Sequence, residues 1–417
     1  MRPVMIVVAI GARAALAAEP ATVDLRWQVT EVQARAQGPL AQASALAPGL
    51  VAMSSGSTAM QAELRHSLTL PWPSDAPRLR LGLNLLARHE WPRQAAQRDS
   101  SRVNELHLST ESGAFGFTAG KRLLGWDVGY AFRPNDVVQQ EDRRSLAGTT
   151  PEGRPLVQAE WFGTDQAAAL VWVNPQAHGR TREQAPGPQE PALAARVYQR
   201  LGTLDLHGFA RWGERTAGSL GVAAAWVPGE STEWHASVRW LQRHEGWGST
   251  AAPGAVLGAN PWQVVQQGSA VQALVGLSWT GLQHQTLLAE AWYDGTALPN
   301  SQWQRWAARN AALVASPAPA PARAANLAWQ ATPLDATNLQ RSNLLVRASW
   351  QPPEWQLWAD VLWQPADDGM VFSAGAQWQG ERWRISASLR HAGGARQAVT
   401  AQLPWQRQWL LAATFSL

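Results

Sequence analysis

The chain has 417 residues, 46% hydrophobic and 16% charged, with a formal net charge of +4. It has no cysteine, which excludes a disulfide framework and thiolate metal sites. Beyond the N-terminus no apolar run reaches 18 residues, which excludes ordinary transmembrane helices. The aromatic set is skewed, with 25 tryptophans against 3 tyrosines and 7 phenylalanines. Lys121 is the single lysine, so nearly all positive charge is arginine. That bias has two readings, a GC-rich genome or anionic partners.

In chain order the first segment is "MRPVMIVVAIGARAALAAEP". Arg2 supplies a positive start, Pro3 to Ile10 an apolar stretch, and Ala15 to Ala18 a small-residue cleavage site. This predicts a secretory signal peptide over residues 1–18, leaving 19–417 as one mature domain. Strand-like segments then follow one another. "VDLRWQVT" sets Val23, Leu25, Trp27 and Val29 against Asp24, Arg26, Gln28 and Thr30. "RLRLGLNLLAR" sets Leu79, Leu81, Leu83 and Leu85 against Arg78, Arg80, Asn84 and Arg88. "WHASVRWLQR" sets Trp234, Ala236, Val238 and Trp240 against His235, Ser237 and Arg239. "WRISASLRH" repeats the pattern with Arg384 and Arg390 on its polar face. This is the period of a strand with one apolar side. About 16 such segments are predicted, within a range of 14 to 18.

Short breaks such as "VPGEST", "QPPEW" and "QPADDGM" mark tight turns. Longer polar stretches fall at roughly 38–60, 133–153, 176–190, 246–263 and 299–339. The last is the longest, and "SQWQRWAARNAALVA" within it predicts a short helix. It is expected to fold inward as a constriction or to cap a mouth.

Evenly spaced short strands allow a sandwich, a propeller or a closed barrel. A soluble sandwich explains any single strand equally well, burying leucine and exposing arginine. Three features favour a transmembrane antiparallel barrel: the export leader, tryptophans near the ends of apolar faces, and polar faces richer in charge than a sandwich core accepts. Arginine facing lipid at mid-membrane costs roughly 2–4 kcal/mol, so the arginine faces turn inward. The expected fold class is therefore all-β, a single-domain barrel with long extracellular loops.

The last ten residues, "QWLLAATFSL", alternate to the final position: Trp409, Leu411, Ala413, Phe415, Leu417. They resemble the C-terminal recognition strand of Gram-negative outer-membrane barrels. The resemblance implies that Trp409, Leu411, Phe415 and Leu417 form a signal read by the barrel-assembly machinery, and that the chain resides in the bacterial outer membrane, among its lipids and lipopolysaccharide. The class ends more often in phenylalanine or tryptophan than in leucine. A second stretch, "GKRLLGWDVGYAFRPNDVVQQEDRR" (Gly120 to Arg144), resembles a segment of porin-like and alginate-export-type barrels. There a Gly-Lys/Arg strand leads to Trp126, Gly129, Tyr130, Phe132, Pro134, Asn135 and Asp136. No catalytic role comes with that match.

No H-E-x-x-H, phosphate-binding glycine loop, G-x-S-x-G or EF-hand motif is present. The 9 histidines are scattered, and none pair at metal-ligand spacing. No catalytic residue, cofactor, metal or nucleic-acid partner is expected. Parity assigns to the lumen Arg65, Arg78, Arg80, Arg88, Arg211, Arg239, Arg347, Arg384 and Arg390, with Arg26 and Arg196. The opposing acids are Asp24, Glu105, Glu160, Asp205, Glu290 and Asp360. A net-positive lumen favours anions, whereas cross-strand ion pairing would merely stiffen the wall. The expected function is a channel for small polar solutes or an acidic saccharide. The alternatives are a plugged barrel with a structural or enzymatic role, and a soluble periplasmic binding protein.

Overall fold

Alternation at period 2 becomes pairing in the computed structural model, which describes residues 20–51, 53, 55–70, 78–139, 146, 150–174, 190–251 and 256–417. The expected signal peptide lies outside the described residues. The strands are β1 (Thr22–Ala34), β2 (Gly56–Leu70), β3 (Leu79–Pro92), β4 (Arg98–Ser112), β5 (Phe115–Arg122), β6 (Arg154–Phe162) and β7 (Gln166–Val173). Next come β8 (Ala192–Leu201), β9 (Leu204–Gly213), β10 (Ala217–Trp226), β11 (Thr232–Leu241), β12 (His244–Ser249), β13 (Trp262–Gln267) and β14 (Ala270–Thr280). The last are β15 (Gln285–Asp294), β16 (Ser342–Trp350), β17 (Trp355–Gln364), β18 (Gly369–Gln379), β19 (Trp383–Gly394) and β20 (Trp405–Ser416). Each pairs antiparallel with its neighbour, except that β11 passes directly to β14 and β12–β13 form a separate hairpin. β20 pairs back onto β1, so 18 strands close into a barrel with no open edge.

Closure reaches the last residue. Leu417 and Val23 exchange backbone hydrogen bonds at 2.9 and 3.3 Å. Trp409 and Leu411 face outward and are exposed, and the Phe415 ring lies 4.9 Å from that of Trp383.

The outer surface is a transmembrane one. Mid-strand it exposes Leu170, Leu220, Val222, Val238, Val275 and Val361. Trp161, Trp226, Trp234, Trp279, Trp350, Trp355 and Trp383 ring one end of the strands. Trp172, Trp212, Trp240, Tyr293 and Trp409 lie toward the other. An apolar band between two aromatic girdles is the form lipid selects. A soluble sandwich would bury these side chains, so that alternative is overturned.

The barrel has two strands more than the expected 16, at the top of the predicted range. β7 ("QAAALVWV") and β10 ("AGSLGVAAAW") carry no charge on their inward faces. Their inward Val171 and Ala223 are buried against packed protein, so the alternation fades.

Every described long connection lies at the end of the barrel opposite the termini. There α1 (Pro39–Leu46) packs on α3 (Ala320–Trp329). α2 (Asn300–Ala315), on the segment predicted as helix, buries Trp303 and Trp306 one turn apart. Those rings pack with Trp247 and Trp262 of the β12–β13 hairpin, with Val399 and Leu403, and with inward Ala392 of β19. Their indole N–H groups donate to Leu339 O at 2.7 Å and Gln330 O at 2.8 Å. The long 299–339 segment thus caps the mouth, and a different loop enters the lumen. Four tryptophans thus stabilise the cap and stand apart from the girdles.

Candidate functional site: a constricted lumen

Residues 123–139, between β5 and β6, turn into the barrel. This is the segment that resembled porin-like barrels on sequence. The loop first closes on itself. Asp136 Oδ1 accepts from the N–H of Trp126 at 2.7 Å and of Asp127 at 3.2 Å. Asp127 in turn accepts from the N–H of Val128 at 2.8 Å and of Asn135 at 2.5 Å. Arg133 donates to Gly129 O, Asp127 O and Asp136 Oδ2 at 2.9–3.2 Å. These local bonds satisfy backbone that no strand pairs.

One flank of the loop is apolar. Trp126, Val137 and Val138 pack against Leu156 of β6, Val171 and Val173 of β7, Ala194 of β8, Phe209 of β9 and Ala223 of β10. That half of the lumen is filled. The far tip is held by polar contacts to the opposite wall. Glu290 of β15 accepts from the N–H of Tyr130 and of Ala131, both at 2.7 Å, one on each carboxylate oxygen. His235 Nε2 lies 2.8 Å from Glu290 Oε1, and neither side chain has any exposure. Asn135 Nδ2 donates to Ser237 Oγ at 2.8 Å, and Ser237 Oγ donates to Asp127 Oδ2 at 3.0 Å. Phe132 stacks on Trp292 with centroids 5.8 Å apart. The loop therefore starts at β5 and is anchored at β15, eight strands round an eighteen-stranded wall. It crosses nearly the full lumen.

Burial shows which half remains open. Inward residues behind the loop are sealed: Gln158, Ala194, Arg211 and Arg239 are all under 9% exposed. Arg211 pairs with Glu190 at 3.1 Å, and Arg239 donates to Pro134 O at 3.1 Å and to Ser219 Oγ. Across the lumen, inward Arg65, Arg80 and Arg384 are exposed, and Arg26, Arg88, Arg347 and Arg390 are half-buried. Strand register places Arg384, Thr414, Arg26, Gln61 and Arg88 in one row across β19, β20, β1, β2 and β3. With strands about 4.8 Å apart, successive arginines of the row stand roughly 10 Å from one another.

Other lumen arginines are paired. Arg65 meets Asp24, and Arg347 lies 3.8 Å from Asp360 and over the Trp358 ring; within the row itself, Arg88 lies 3.9 Å from Glu90. Arg78 precedes β3 in an exposed position outside the strand.

In the loop itself, burial raises the carboxyl pKa of both Asp127 and Asp136 above the ordinary aspartate value, outweighing the hydrogen bonds they accept. Burial likewise raises the Tyr130 phenol, helped by Glu233. Glu290 was legible only as an inward acid and His235 only as a polar-face residue. Their role depends on a contact spanning 160 positions of chain, for which periodicity carries no signal.

A closed antiparallel transmembrane barrel with a loop folded into its lumen is porin-like in architecture. The solved structure of Pseudomonas aeruginosa OccK5 (OpdH) has a TM-score of 0.55 at 8% identity, over 95% of this chain and 97% of that one. A mutant of the Rhodopseudomonas blastica porin overlaps at TM-score 0.46 and 10% identity, over 95% of this chain and 99% of that one. No family profile matches the sequence. No curated protein matches it either.

Proposed function

We propose that the protein is an outer-membrane channel that passes small polar solutes and favours anions. The observation that carries the reading is the asymmetry of the lumen. The 123–139 loop fills one half, and the open half bears the Arg384–Arg26–Arg88 row. Low-dielectric walls focus the field of such a row on whatever passes. Of the nearby acids, Asp24 is engaged by Arg65 and Ser416 and Glu63 by Asn84, while Glu90 lies 3.9 Å from Arg88 and offsets one charge of the row. An acidic saccharide fits the same chemistry, since guanidinium binds carboxylate in a fork. The proposed channel is passive, involves no catalysis, and places its long loops outside the cell.

The test is the reversal potential of the mature chain in a planar bilayer under a salt gradient, alongside the triple variant Arg26→Gln, Arg88→Gln, Arg384→Gln. Wild type should favour anions, and the variant should lose most of that preference. Cation preference in wild type contradicts the reading.

The cap favours one further expectation. Four tryptophans close over the mouth, so the channel rests in a low-conductance state. Shortening 300–330 should raise conductance without changing selectivity.

A further inference from the structure

At the loop end of the barrel, the hairpin joining β17 to β18 gathers oxygens without matching protons. Gln364, the last residue of β17, stands opposite Gly369, the first of β18, with the turn 365–368 between them. The segment 395–403 is tied to this turn. Asp367 Oδ2 accepts from the N–H of Val399 at 2.8 Å and from Gln340 Nε2 at 2.7 Å, and Asp367 Oδ1 accepts from the N–H of Gly369 at 3.1 Å. Gln364 is 2% exposed and Thr400 is 1% exposed.

Neighbours fix the orientation of the Gln364 amide. Asn343 Nδ2 donates to Gln340 O at 2.9 Å, so Asn343 Oδ1 is the atom that accepts from Gln364 Nε2 at 3.1 Å. Gln364 Oε1 is thereby turned toward Gly369, where it is buried without a hydrogen-bond donor. Two more oxygens converge on the same position. A methyl group on Gly369 would lie 3.0 Å from Gln364 Oε1, 2.9 Å from Asp367 Oδ1 and 2.6 Å from Thr400 Oγ. The Thr400 hydroxyl gives its proton to Gly393 O at 2.6 Å. The Asp367 carboxylate brings a negative charge, with no ion pair to it among the described residues. A water molecule has too few protons for three such acceptors, whereas a cation meets all of them at once.

The donor set selects the cation. It consists of carboxylate, amide and hydroxyl oxygens, with no histidine, and calcium takes such irregular oxygen sets readily. We propose that Asp367, Gln364 and Thr400 hold a calcium ion, with water completing its shell from the exposed side of the turn at Asp368. Glycine at 369 keeps carbon out of the position where the oxygens meet. A single carboxylate places the affinity in the weak class of extracellular sites, about 10⁻⁴–10⁻³ M. The ion joins the wall to the segment 395–403, whose Val399 and Leu403 pack with the cap tryptophans. The proposal does not depend on what the lumen conducts.

The test uses the mature full-length chain, refolded in neutral detergent, stripped with a chelator and titrated with calcium chloride by calorimetry. Asp367→Asn should weaken binding by about tenfold or more through the lost charge. Thr400→Val, a substitution of similar shape, should weaken it too, and Glu381→Gln, in the turn at the opposite end of the barrel, should leave it unchanged. Calcium should slow hydrogen exchange over 395–403 in wild type and in Glu381→Gln, but not in Asp367→Asn. Equal calcium affinity in all three variants, each retaining the heat-modifiable mobility of a folded barrel, overturns the site. Absence of calcium binding by folded wild type up to about 10 mM, well above that class of affinity, overturns it as well. Magnesium binding as tightly as calcium overturns the assignment of the ion, because magnesium demands a near-octahedral shell.

Discussion

Glu290 decides where the lumen loop ends. It is one carboxylate, fully buried, with each oxygen facing a backbone N–H of the loop. Without it, two part-buried donors lose their partner, at about 1 kcal/mol each. Glu290→Ala should therefore release the loop tip while the barrel stays folded. Hydrogen exchange over 126–136 should accelerate at least tenfold, and the wall strands should keep their protection. Unchanged exchange would show that the apolar flank alone holds the loop. Gly221 makes a second, steric case. A methyl group there would come within 1.8 Å of Asn135 Oδ1, and Asn135 is itself fully buried and tied to Ser237. Gly221→Ala should displace the loop through Asn135, read as the same faster exchange. Neither residue announces this in the sequence. Gly221 reads as a weak strand position and Glu290 as one inward acid among several.

At the scale of elements, the loop carries its own pH dependence. Burial raises the pKa of Asp127 and Asp136 in the seated loop. Between the ordinary aspartate value and the raised values, the seated loop binds more protons than a released one. Its attachment therefore weakens as pH rises through that window and strengthens as pH falls into it. Hydrogen exchange of the loop, corrected for intrinsic rates, should show more protection at the acidic end. Protection that grows with pH would reverse the sign. Most wall strands were legible because lipid demands an apolar outside and an aqueous lumen tolerates charge, so Arg80, Arg239 and Arg384 betray their faces. β7 and β10 show the charge pattern least, because the loop behind which they lie replaces water with Trp126 and Val137. The same physics hid the constriction. Its segment was noticed for its Trp, Gly and Asn-Asp spacing, but its path into the lumen is fixed by partners on β10, β11 and β15. The helix in 299–339 was legible in "SQWQRWAARNAALVA", and its place over the mouth depends on the β12–β13 hairpin.

For the whole molecule, stability follows from a wall with two solvents. Val275 is half-exposed at the middle of β14, facing outward between the aromatic girdles. Val275→Arg should cost about 2–4 kcal/mol of folding in vesicles, measured by denaturant titration. The lumen-facing Thr414→Arg should cost far less. Equal costs would mean that the outer surface does not meet lipid. Closure of β20 on β1, carried to Leu417, gives the wall no free edge, and the cap and the inner loop then set what can pass.

The most direct measurement is single-channel conductance in a planar bilayer, comparing the wild-type chain with one in which residues 126–136 are replaced by a short glycine-serine link. Wild type should show a small, anion-preferring conductance and the variant a several-fold larger, less selective one. Equal conductances from two folded barrels would contradict this, because the loop would then not form the constriction.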